Sequence, residues 1–342
     1  EFYVLGVTPR PWKPADSLVW SKMMAWDLGA NWSSELLRLR MLKEGGLSQK
    51  QIQELYPPYP GDAPVALPDL ASLYEGIDLP LNQFAAASNE LVPDPANGSN
   101  NWVVSGKRTA SGKPLLANDP HLGLAVPPVW YFAHIETPDV KVMGATLPGI
   151  PGVVLGRNKR IAWGFTNTGP DVQDMFIEKL EGDKYVTPTG TADFETRKEV
   201  IKVKDGEDVN LTVRFSRHGP IISDVLDTAA KVAGDGHALS FSWTALRTDN
   251  TTASAILKSN RAQNWPEFVD AIRSFDVPQQ NMVYADIDGN IGYYAPGRVP
   301  VRHPDNKIRG FMPVPGWDAK YDWQGFIPFE ELPHTYNPAR NY

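Results

Sequence analysis

The sequence predicts an α+β protein in which antiparallel strands and helices form a layered sandwich. Helical periodicity fills the first part of the chain, up to about residue 56. From residue 99 onward, short β-prone runs separated by Gly, Pro and Asp turns follow one another, with one helix among the later strands. Strands that succeed each other through turns favour antiparallel pairing, and this order of elements is typical of packed layers of sheet and helix.

The N-terminal region is predicted to be helical. Asp16 can cap a segment whose apolar residues recur at helical spacing, and Gly29 interrupts that segment before a second apolar pattern begins. Ser48 and Gln51 make a capping box for a short further helix. Residues 57–98 are rich in Pro, Asp, Asn and Ala, so we predict a connecting or removable segment there.

The rest of the chain is predicted to consist mainly of strands. A helix is expected at about 264–274, with Asn264 as its N-cap. Residues 282–287 and 290–295 should form a hairpin around an Asp-Gly turn. The acidic loop of this hairpin superficially resembles a calcium loop, but it lacks the bidentate Glu of such loops, so a simple turn is the better interpretation. The earlier β-prone runs are 101–105, 114–117, 130–134, 140–143, 153–155, 161–163, 175–177, 200–203, 211–215 and 239–243.

The composition is that of a globular protein. Of the 342 residues, 42% are hydrophobic and 21% charged, which suits a packed core. The net charge is −7 and no basic block is present, so nucleic acid, which requires clustered Lys and Arg, is not an expected partner. Membrane insertion is not expected either, because no apolar run approaches the roughly 20 residues that span a bilayer. The absence of Cys excludes thiolate nucleophiles and Cys-ligated zinc.

The junction between Gly98 and Ser99 is a candidate for nucleophilic chemistry. A Ser hydroxyl is a weak nucleophile until a base accepts its proton, and the α-amine of the same residue can be that base if the chain is cut immediately before it. Gly98 permits tight backbone geometry, and residues 100–103 lead into a predicted strand. An ordinary turn before a strand has the same local sequence, so the junction alone does not establish catalysis.

A series of ordered motifs begins at Ser99. They are 99–104 (SNNWVV), 112–122 (GKPLLANDPHL), 144–152 (GATLPGIPG), 156–158 (GRN), 162–167 (AWGFTN), 284–293 (YADIDGNIGY), 313–316 (PVPG) and 336–338 (YNP). In this order they closely resemble the β-chain of the penicillin acylase and acyl-homoserine-lactone acylase family, which are N-terminal-nucleophile (Ntn) hydrolases of the serine type. Residues 15–56 resemble the end of the family's α-chain, so the resemblance covers nearly the whole chain.

The resemblance implies an architecture and a maturation route. The fold would be a four-layer αββα sandwich, two antiparallel sheets flanked by helices, as in Ntn hydrolases. The chain would comprise the helical end of an α-chain (1–56), a spacer pro-segment (57–98) and the N-terminal part of a β-chain with the sheet core (99–342). One precursor, cut after Gly98, would give an α/β heterodimer in the bacterial periplasm. We interpret the start at Glu1, which is not Met, as an internal or processed one.

The resemblance also assigns catalytic roles. Ser99 would be the nucleophile, and His121 would orient its amine or hydroxyl. The main-chain N–H of Asn167 would stabilise the oxyanion of the tetrahedral intermediate. The family's second donor, an Asn side chain that follows the Tyr-Asn-Pro motif, is expected beyond Tyr342.

Two alternatives to these roles stay open. His121 could be a loop residue and Asn167 a turn former, with no catalytic function. A conventional Ser99–His121–Asp119 triad is the competing mechanism, because residues two apart share one face of a regular strand. Pro120 lies between them and makes a regular strand unexpected, which weighs against the triad.

Three carboxylates are candidate calcium ligands. Asp171 and Asp174 lie in a short acidic segment, and hard cations such as calcium take carboxylate oxygens. The resemblance marks both as ligands and adds Glu35 from the α-chain. A structural ion would then connect the N-terminal helices to the sheet. The alternative is an acidic turn exposed to solvent.

The resemblance further indicates an acyl pocket lined by Leu122, Leu155, Phe165 and Trp243, with Gln280 also matching a pocket position. Aliphatic Leu122 and Leu155 stand where the phenylacetyl-selective enzymes carry Phe, which favours a flexible alkyl chain over an aryl ring. Packing in the core is the alternative role for each of these residues. The sequence identifies no organic cofactor.

The function predicted from the sequence is hydrolysis of a small-molecule amide between an apolar acyl group and a polar amine. Within this class, a penicillin amidase and a quorum-quenching acyl-homoserine-lactone acylase are both open. A noncatalytic binding module, or an inactive fragment with the same fold, is the alternative from another class.

Overall fold

The structure is a computed structural model that describes residues 2–29, 31–43, 46–57, 98–123 and 126–342. Apart from its two end residues, the predicted connecting segment 57–98 lies outside the described residues. The described α-helices are α1 Phe2–Leu5, α2 Pro14–Leu28, α3 Asn31–Lys43, α4 Gln49–Leu55, α5 Asp227–Ala233, α6 Thr252–Ser259 and α7 Trp265–Ile272. None of them combines the length and apolar character that crossing a bilayer requires.

The strands follow one another through turns, as the sequence predicts. They are β1 Gly98–Val104, β2 Leu115–His121, β3 Tyr131–Glu136, β4 Lys141–Thr146, β5 Leu155–Arg157, β6 Ile161–Asn167, β7 Gln173–Glu181, β8 Lys184–Thr187, β9 Gly190–Asp193, β10 Glu195–Ile201, β11 Val209–Ser216, β12 Gly219–Pro220, β13 His237–Trp243, β14 Gln280–Asp286, β15 Ile291–Tyr294, β16 Pro300–Arg302, β17 Val314–Pro315, β18 Trp323–Phe326 and β19 His334–Tyr336. Among the described strand pairs, only β17 and β7 run parallel.

The central layer is a seven-stranded antiparallel sheet with the order β19-β15-β14-β6-β5-β4-β3. Its middle strands β6 and β14 pair Trp163 with Tyr284, and both side chains are almost fully buried. Phe268 of α7 packs with them, and α6 adds Ala255 to the same hydrophobic cluster. Burial of large aromatic side chains is strongly favourable, so this core fixes the sheet that supports the candidate site.

The hairpin of β1 and β2 covers the opposite face of the central sheet. The two strands pair along their whole length, from Gly98 opposite His121 to Val104 opposite Leu115. Val103 packs inward in a small hydrophobic cluster with residues of β14 and β15. Helices, the central sheet and the two-stranded sheet of β1 and β2 are therefore stacked in the predicted order. On the outer face of the hairpin, Trp102 is 51% exposed.

A further sheet carries the N-terminal helices. It has five strands, β13-β7-β8-β9 with β17 beside β7. Leu36 and Leu39 of α3 are fully buried in a cluster with Met175 and Ile177 of β7. Strand β7 is thus enclosed by helix and sheet, which brings residues near position 35 next to residues near 174. The sheets β10-β11-β12 and β16-β18 complete the described strands.

Several sequence predictions are confirmed in detail. The Ser48–Gln51 capping box precedes α4, and Asn264 caps α7 by accepting the Glu267 backbone N–H at 3.0 Å. The predicted hairpin is β14–β15. Asp286 accepts the backbone N–H groups of residues 288 and 290, so its carboxylate stabilises the turn, as the interpretation of this loop requires.

One local prediction holds with a shifted position, and another is wrong. Asp16 caps α2 from the third helical position and not from the residue before the helix. The helix begins at Pro14, a favoured first residue, and the Asp16 carboxylate accepts the Lys13 backbone N–H at 2.7 Å. Pro120 does not interrupt β2, which runs through it to His121. Among the described residues β2 pairs only with β1, so the N–H that proline lacks is not needed on the other side.

Candidate active site

Ser99 lies at the start of β1, where this strand reaches the end of the central sheet. It pairs with Pro120 of β2, and both residues line a cavity next to the end of β6. Met24 and Leu28 of α2 form part of the opposite wall. The candidate nucleophile therefore stands at a cavity that is lined by residues from both sides of the predicted connecting segment.

Asn118 attaches the hairpin to the central sheet. Its side-chain Oδ1 accepts the Phe165 N–H at 2.9 Å, and its Nδ2 donates to the Phe165 carbonyl at 2.8 Å and to the Asn100 carbonyl at 3.0 Å. This carboxamide pairs with β6 as another strand would. A Cβ on Gly164 would approach the Asn118 Cβ to 2.9 Å, so glycine is needed at that position. This role of Asn118 is not evident from the sequence, although the residue lies within the 112–122 motif.

A second carboxamide pair supports the same docking. Asn101, the register partner of Asn118, donates from Nδ2 to the Asn281 carbonyl at 2.9 Å. The Asn281 side chain in turn accepts from the Tyr293 hydroxyl at 2.6 Å and donates to the Asn167 carbonyl at 3.3 Å. The strand that carries Ser99 is thus held against β6 and β14 by hydrogen bonds as well as by apolar contacts. The sequence signal for this docking is a pair of asparagines, Asn101 and Asn118, on the inward face of one hairpin.

His121 lies beside the peptide bond that precedes Ser99, not beside the Ser99 side chain. It pairs with Gly98, and a Cβ built on Gly98 would stand 3.7 Å from the His121 Nδ1. Its Nε2 is 2.9 Å from Asp119 Oδ2, so these two residues do share a face. Paired residues of a hairpin point to one side and alternate along the strand, which directs Ser99 and His121 to opposite faces. This geometry does not support the triad.

Asn167 ends β6 at the cavity. Its side-chain Nδ2 donates to the Leu28 carbonyl at 2.9 Å and so fastens the last turn of α2. Both residues line the cavity beside Ser99. The carboxamide of Asn167 is therefore engaged with α2, while the role predicted for this residue in the oxyanion site requires only its main-chain N–H.

Three of the four residues predicted for the acyl pocket line the cavity. These are Leu122, Leu155 and Phe165, and Gln280 lines it as well. Trp243 differs from the expectation, because it lines a separate smaller cavity on the other side of Asn167. The reason is its place on β13, where its ring packs against Trp26 and Phe241 in the hydrophobic core below α2 and α3.

The predicted carboxylate cluster also comes together. Glu35, Asp171 and Asp174 each place a carboxylate oxygen within 4.8 Å of the others. The Arg302 guanidinium lies among them, 2.7 Å from Asp174 Oδ1 and 3.0 Å from Asp171 Oδ1. Burial, with the Asp174 and Asp171 charges, raises the pKa of Glu35 well above its usual value. Burial likewise raises the pKa of Asp171 to about 7.

The cluster has the features of a cation site. Oε1 of Glu35 is enclosed and has no hydrogen-bond partner among the described residues. Gly310 adopts a φ of +75° beside the cluster, and a Cβ there would lie 2.1 Å from Asp171 Oδ2 and 2.6 Å from Asp174 Oδ1. The three acidic groups share this space with the guanidinium charges of Arg302 and Arg38. Carboxylate oxygens gathered in this way are the ligands that hard divalent cations take.

A second buried cluster of charges lies further along β7. Glu178, fully buried, accepts at Oε1 from the Ser216 and Ser240 hydroxyls and from His218 Nδ1 at 2.7 Å. His218 Nε2 lies 3.1 Å from Asp322 Oδ1. Burial acts to raise the pKa of Glu178, but the hydrogen bond and charge of His218 outweigh it and hold this pKa below its usual value. No pattern in the sequence indicates this cluster, because its members are far apart along the chain.

Known proteins resemble the chain throughout its length. The acyl-homoserine lactone acylase QuiP of Pseudomonas syringae pv. tomato is 32% identical over an alignment 348 residues long, which covers 98% of this chain and 41% of that protein. The penicillin acylase 2 proenzyme of Pseudomonas sp. (strain SE83) is 30% identical over an alignment 350 residues long, which covers 99% of this chain and 43% of that protein. This chain thus spans less than half the length of these curated relatives.

The fold has a counterpart among solved structures. A thermostable penicillin G acylase from Alcaligenes faecalis superposes with a TM-score of 0.63 at 32% sequence identity, covering 70% of this chain and 42% of that one. This likeness confirms the α+β layered fold. The family model described as penicillin amidase matches residues 1–342. The chain belongs to the penicillin amidase family.

Proposed function

We propose that this chain is the part of an amide hydrolase that contains the nucleophile and the acyl pocket. The observation that carries the proposal is the position of Ser99, whose strand opens onto a largely apolar cavity beside the end of β6. An apolar cavity with a few polar groups at one end is the usual form of a small-molecule site. The proposed substrate is an amide between an apolar acyl group and a polar amine.

The reaction would use the α-amine that cleavage after Gly98 releases. Ser99 Oγ attacks the amide carbon, its proton passes to the α-amine and then to the departing amine, and water afterwards hydrolyses the acyl-enzyme. An α-amine has an unperturbed pKa of roughly 8, which suits a general base near neutral pH. His121 pairs with Gly98, next to the bond that would be cut, and this supports a positioning role for His121.

The oxyanion would be stabilised by the Asn167 main-chain N–H. Asn167 lines the cavity with Ser99, and its carboxamide, bonded to Leu28, holds the end of β6 in place. A fixed donor is effective because it needs no reorganisation as charge develops on the oxygen. The second donor of the family would come from the segment that follows the Tyr-Asn-Pro motif.

The acyl group would be an alkyl chain. Leu122, Leu155 and Ile256 line the cavity, together with Phe165 and Phe275. Flexible aliphatic walls suit a chain that can adjust its torsions better than a rigid ring. Relatives named acyl-homoserine lactone acylase and penicillin acylase both match, so quorum-signal hydrolysis is the first candidate and β-lactam deacylation the second.

A calcium ion would have a structural role. We propose Glu35, Asp171 and Asp174 as its carboxylate ligands, which would connect α3 to the start of β7. The orphaned Glu35 oxygen and the space at Gly310 support this assignment. The periplasmic location stays a prediction from the resemblance.

Intact-mass analysis of the full-length protein tests the mechanism directly. The wild type should appear as two chains, an α-chain and a β-chain that starts at Ser99, and Ser99→Ala should remain one chain. Kinetics with a long-chain acyl amide and a phenylacetyl amide of the same amine should favour the long chain. Active wild-type protein that is never cut before Ser99 would refute the mechanism, and a folded, cut protein that hydrolyses neither amide would support a noncatalytic module.

A further inference from the structure

The end of α2 and the start of α3 are hydrogen-bonded to the connection that joins β6 to β7. At one end of this contact, the Leu28 carbonyl accepts from the carboxamide of Asn167, the last residue of β6, at 2.9 Å. At the other end, Asn31 Nδ2 donates to Asp171 Oδ1 at 2.6 Å and to the Gln173 carbonyl at 2.8 Å. The two segments are therefore joined once at the active-site cavity and again at the carboxylate cluster.

The carboxamide of Asn31 is the main attachment at the cluster. A hydrogen bond to a carboxylate is shorter and stronger than one between neutral groups, and the bond to Asp171 is of this kind. Arg302 approaches the same Asp171 oxygen to 3.0 Å. The fully buried Gln173 adds a weaker contact, because its Oε1 accepts the Trp32 N–H at 3.2 Å. Asn31 therefore helps to hold one of the proposed cation ligands in place.

Side-chain packing does not replace these hydrogen bonds. The smaller cavity that Trp243 lines lies between the two segments, with Gly29 and Asn31 on one side and Gly169 and Pro170 on the other. Atoms that face an open space lose their dispersion contacts across it. At this point the helices are thus held to the β6–β7 connection by the hydrogen bonds at its two ends.

The β6–β7 connection begins at the residue that carries the proposed oxyanion donor. Strand β6 ends at Asn167 and β7 begins at Gln173, so only residues 168–172 separate the donor from the strand that carries Asp174. An oxyanion donor contributes most when it is fixed before charge develops on the oxygen. Contacts that fix Asp171 also restrict this short connection. The geometry of the cluster therefore bears on the geometry of the donor.

We infer that Asn31 is a positioning residue that couples the carboxylate cluster to the oxyanion donor, so that the cluster and the cavity bind their ligands cooperatively. The inference rests on the proposed amide hydrolysis and the proposed calcium site, and it adds a role in turnover to the role of the cluster in stability. Asn31 acts through Asp171 and the start of α3, and it touches no reacting atom. Such a coupling is reciprocal, so each ligand must raise the affinity for the other by the same factor.

Calorimetry on the wild-type full-length protein tests the coupling without any substitution. The two probes are calcium and an alkylboronic acid. The Ser99 hydroxyl oxygen adds to boron while its proton passes to the α-amine, and the adduct is tetrahedral like the proposed intermediate. We expect bound boronic acid to tighten calcium binding by about five- to tenfold, and calcium to tighten boronic acid binding by the same factor. A calcium affinity that is equal with and without boronic acid overturns the inference.

Asn31→Ala should remove the coupling. Calcium binding should weaken by about tenfold, because a residue that supports a metal ligand is lost. At saturating calcium, kcat for a long-chain acyl amide should still fall by about tenfold, with KM changed by less than about twofold, since a displaced donor weakens the transition state more than substrate binding. The matched control Asn264→Ala removes the cap of α7 and lines neither cavity, so it should change none of these constants by more than about twofold.

The outcomes separate the inference from the proposed function. A wild type that binds calcium and boronic acid independently overturns the inference alone. A wild type that hydrolyses no amide and binds no boronic acid overturns the amide hydrolase proposal, and one that binds no calcium overturns the calcium site, in each case with the inference. Equal effects of Asn31→Ala and Asn264→Ala overturn the positioning role of Asn31. The wild-type calorimetry decides even if Asn31→Ala fails to fold.

Discussion

Asn118→Ala removes the carboxamide that joins the hairpin of Ser99 to the central sheet. The substitution leaves the Phe165 N–H and carbonyl without the partners they have at 2.9 and 2.8 Å. The bond to the Asn100 carbonyl is exposed and adds little. Two partly buried bonds at about 1 kcal/mol each give a loss of about 2 kcal/mol in the free energy of unfolding. In a large domain this lowers Tm by roughly 4–8 °C.

Thermal unfolding of the full-length protein, with intact-mass analysis of cleavage before Ser99, measures both effects of Asn118→Ala. Cleavage should be slowed, since the scissile bond lies in the hairpin that Asn118 holds. Asn118→Asp is the matched control, because it keeps an acceptor for the Phe165 N–H but places a carboxylate against two carbonyl oxygens. Its stability should therefore improve as pH falls and the new carboxyl group is protonated. An unchanged Tm and a normal cleavage rate in Asn118→Ala would refute this reasoning and assign the docking to apolar contacts such as those of Val103.

Three further predictions concern the charged clusters of β7. Without metal, the folded-state pKa of Asp171 at about 7 exceeds its unfolded value of roughly 3.9, so stability should fall as pH rises between these values. Calcium should cancel this fall and raise the free energy of unfolding by about 2.7 kcal/mol at a concentration a hundredfold above Kd. Profiles of Tm against pH, with calcium or with a chelator, measure this effect. Gly310→Ala should weaken calcium binding by about tenfold in calorimetry, since the Cβ would meet Asp171, whereas Gly325→Ala, also at positive φ but with open space around it, should not. His218→Ala should lower the free energy of unfolding by about 3–5 kcal/mol in urea titrations, because the fully buried Glu178 loses its partner at 2.7 Å, and a loss below about 1 kcal/mol would show that this pair does not stabilise the fold.

Local patterns made much of the fold predictable. The cap of α7 at Asn264 and the β14–β15 hairpin depend on residues a few positions apart, so short-range rules suffice for them. Pro120 was misjudged because its effect depends on whether its strand has a second neighbour, and that is a property of the sheet. The position of Asp16 shows the usual uncertainty at a helix end.

The candidate site was predictable only where a motif carried it. Ser99 and the three carboxylates follow from the ordered resemblance. Asn118 acts on Phe165, which lies 47 positions later, and Arg302 joins Asp174 from 128 positions away. Such pairs depend on how the strands are arranged in space, and no periodicity in the sequence predicts that arrangement. The place of Trp243 depends on the same kind of distant contact, because its aromatic partner Trp26 belongs to a helix far earlier in the chain.

The hydrogen bond that attaches α2 to the end of β6 has a consequence for the mature protein. Cleavage before Ser99 would turn α2 from a covalent part of the chain into a bound polypeptide, held by contacts such as Asn167 to Leu28 and Lys22 to the carbonyls of residues 245 and 247. Met24 and Leu28 would then reach the substrate from a separate molecule. The shape of the pocket would then depend on the binding equilibrium between the two polypeptides. Dilution or mild denaturant could therefore change acyl selectivity before either polypeptide unfolds.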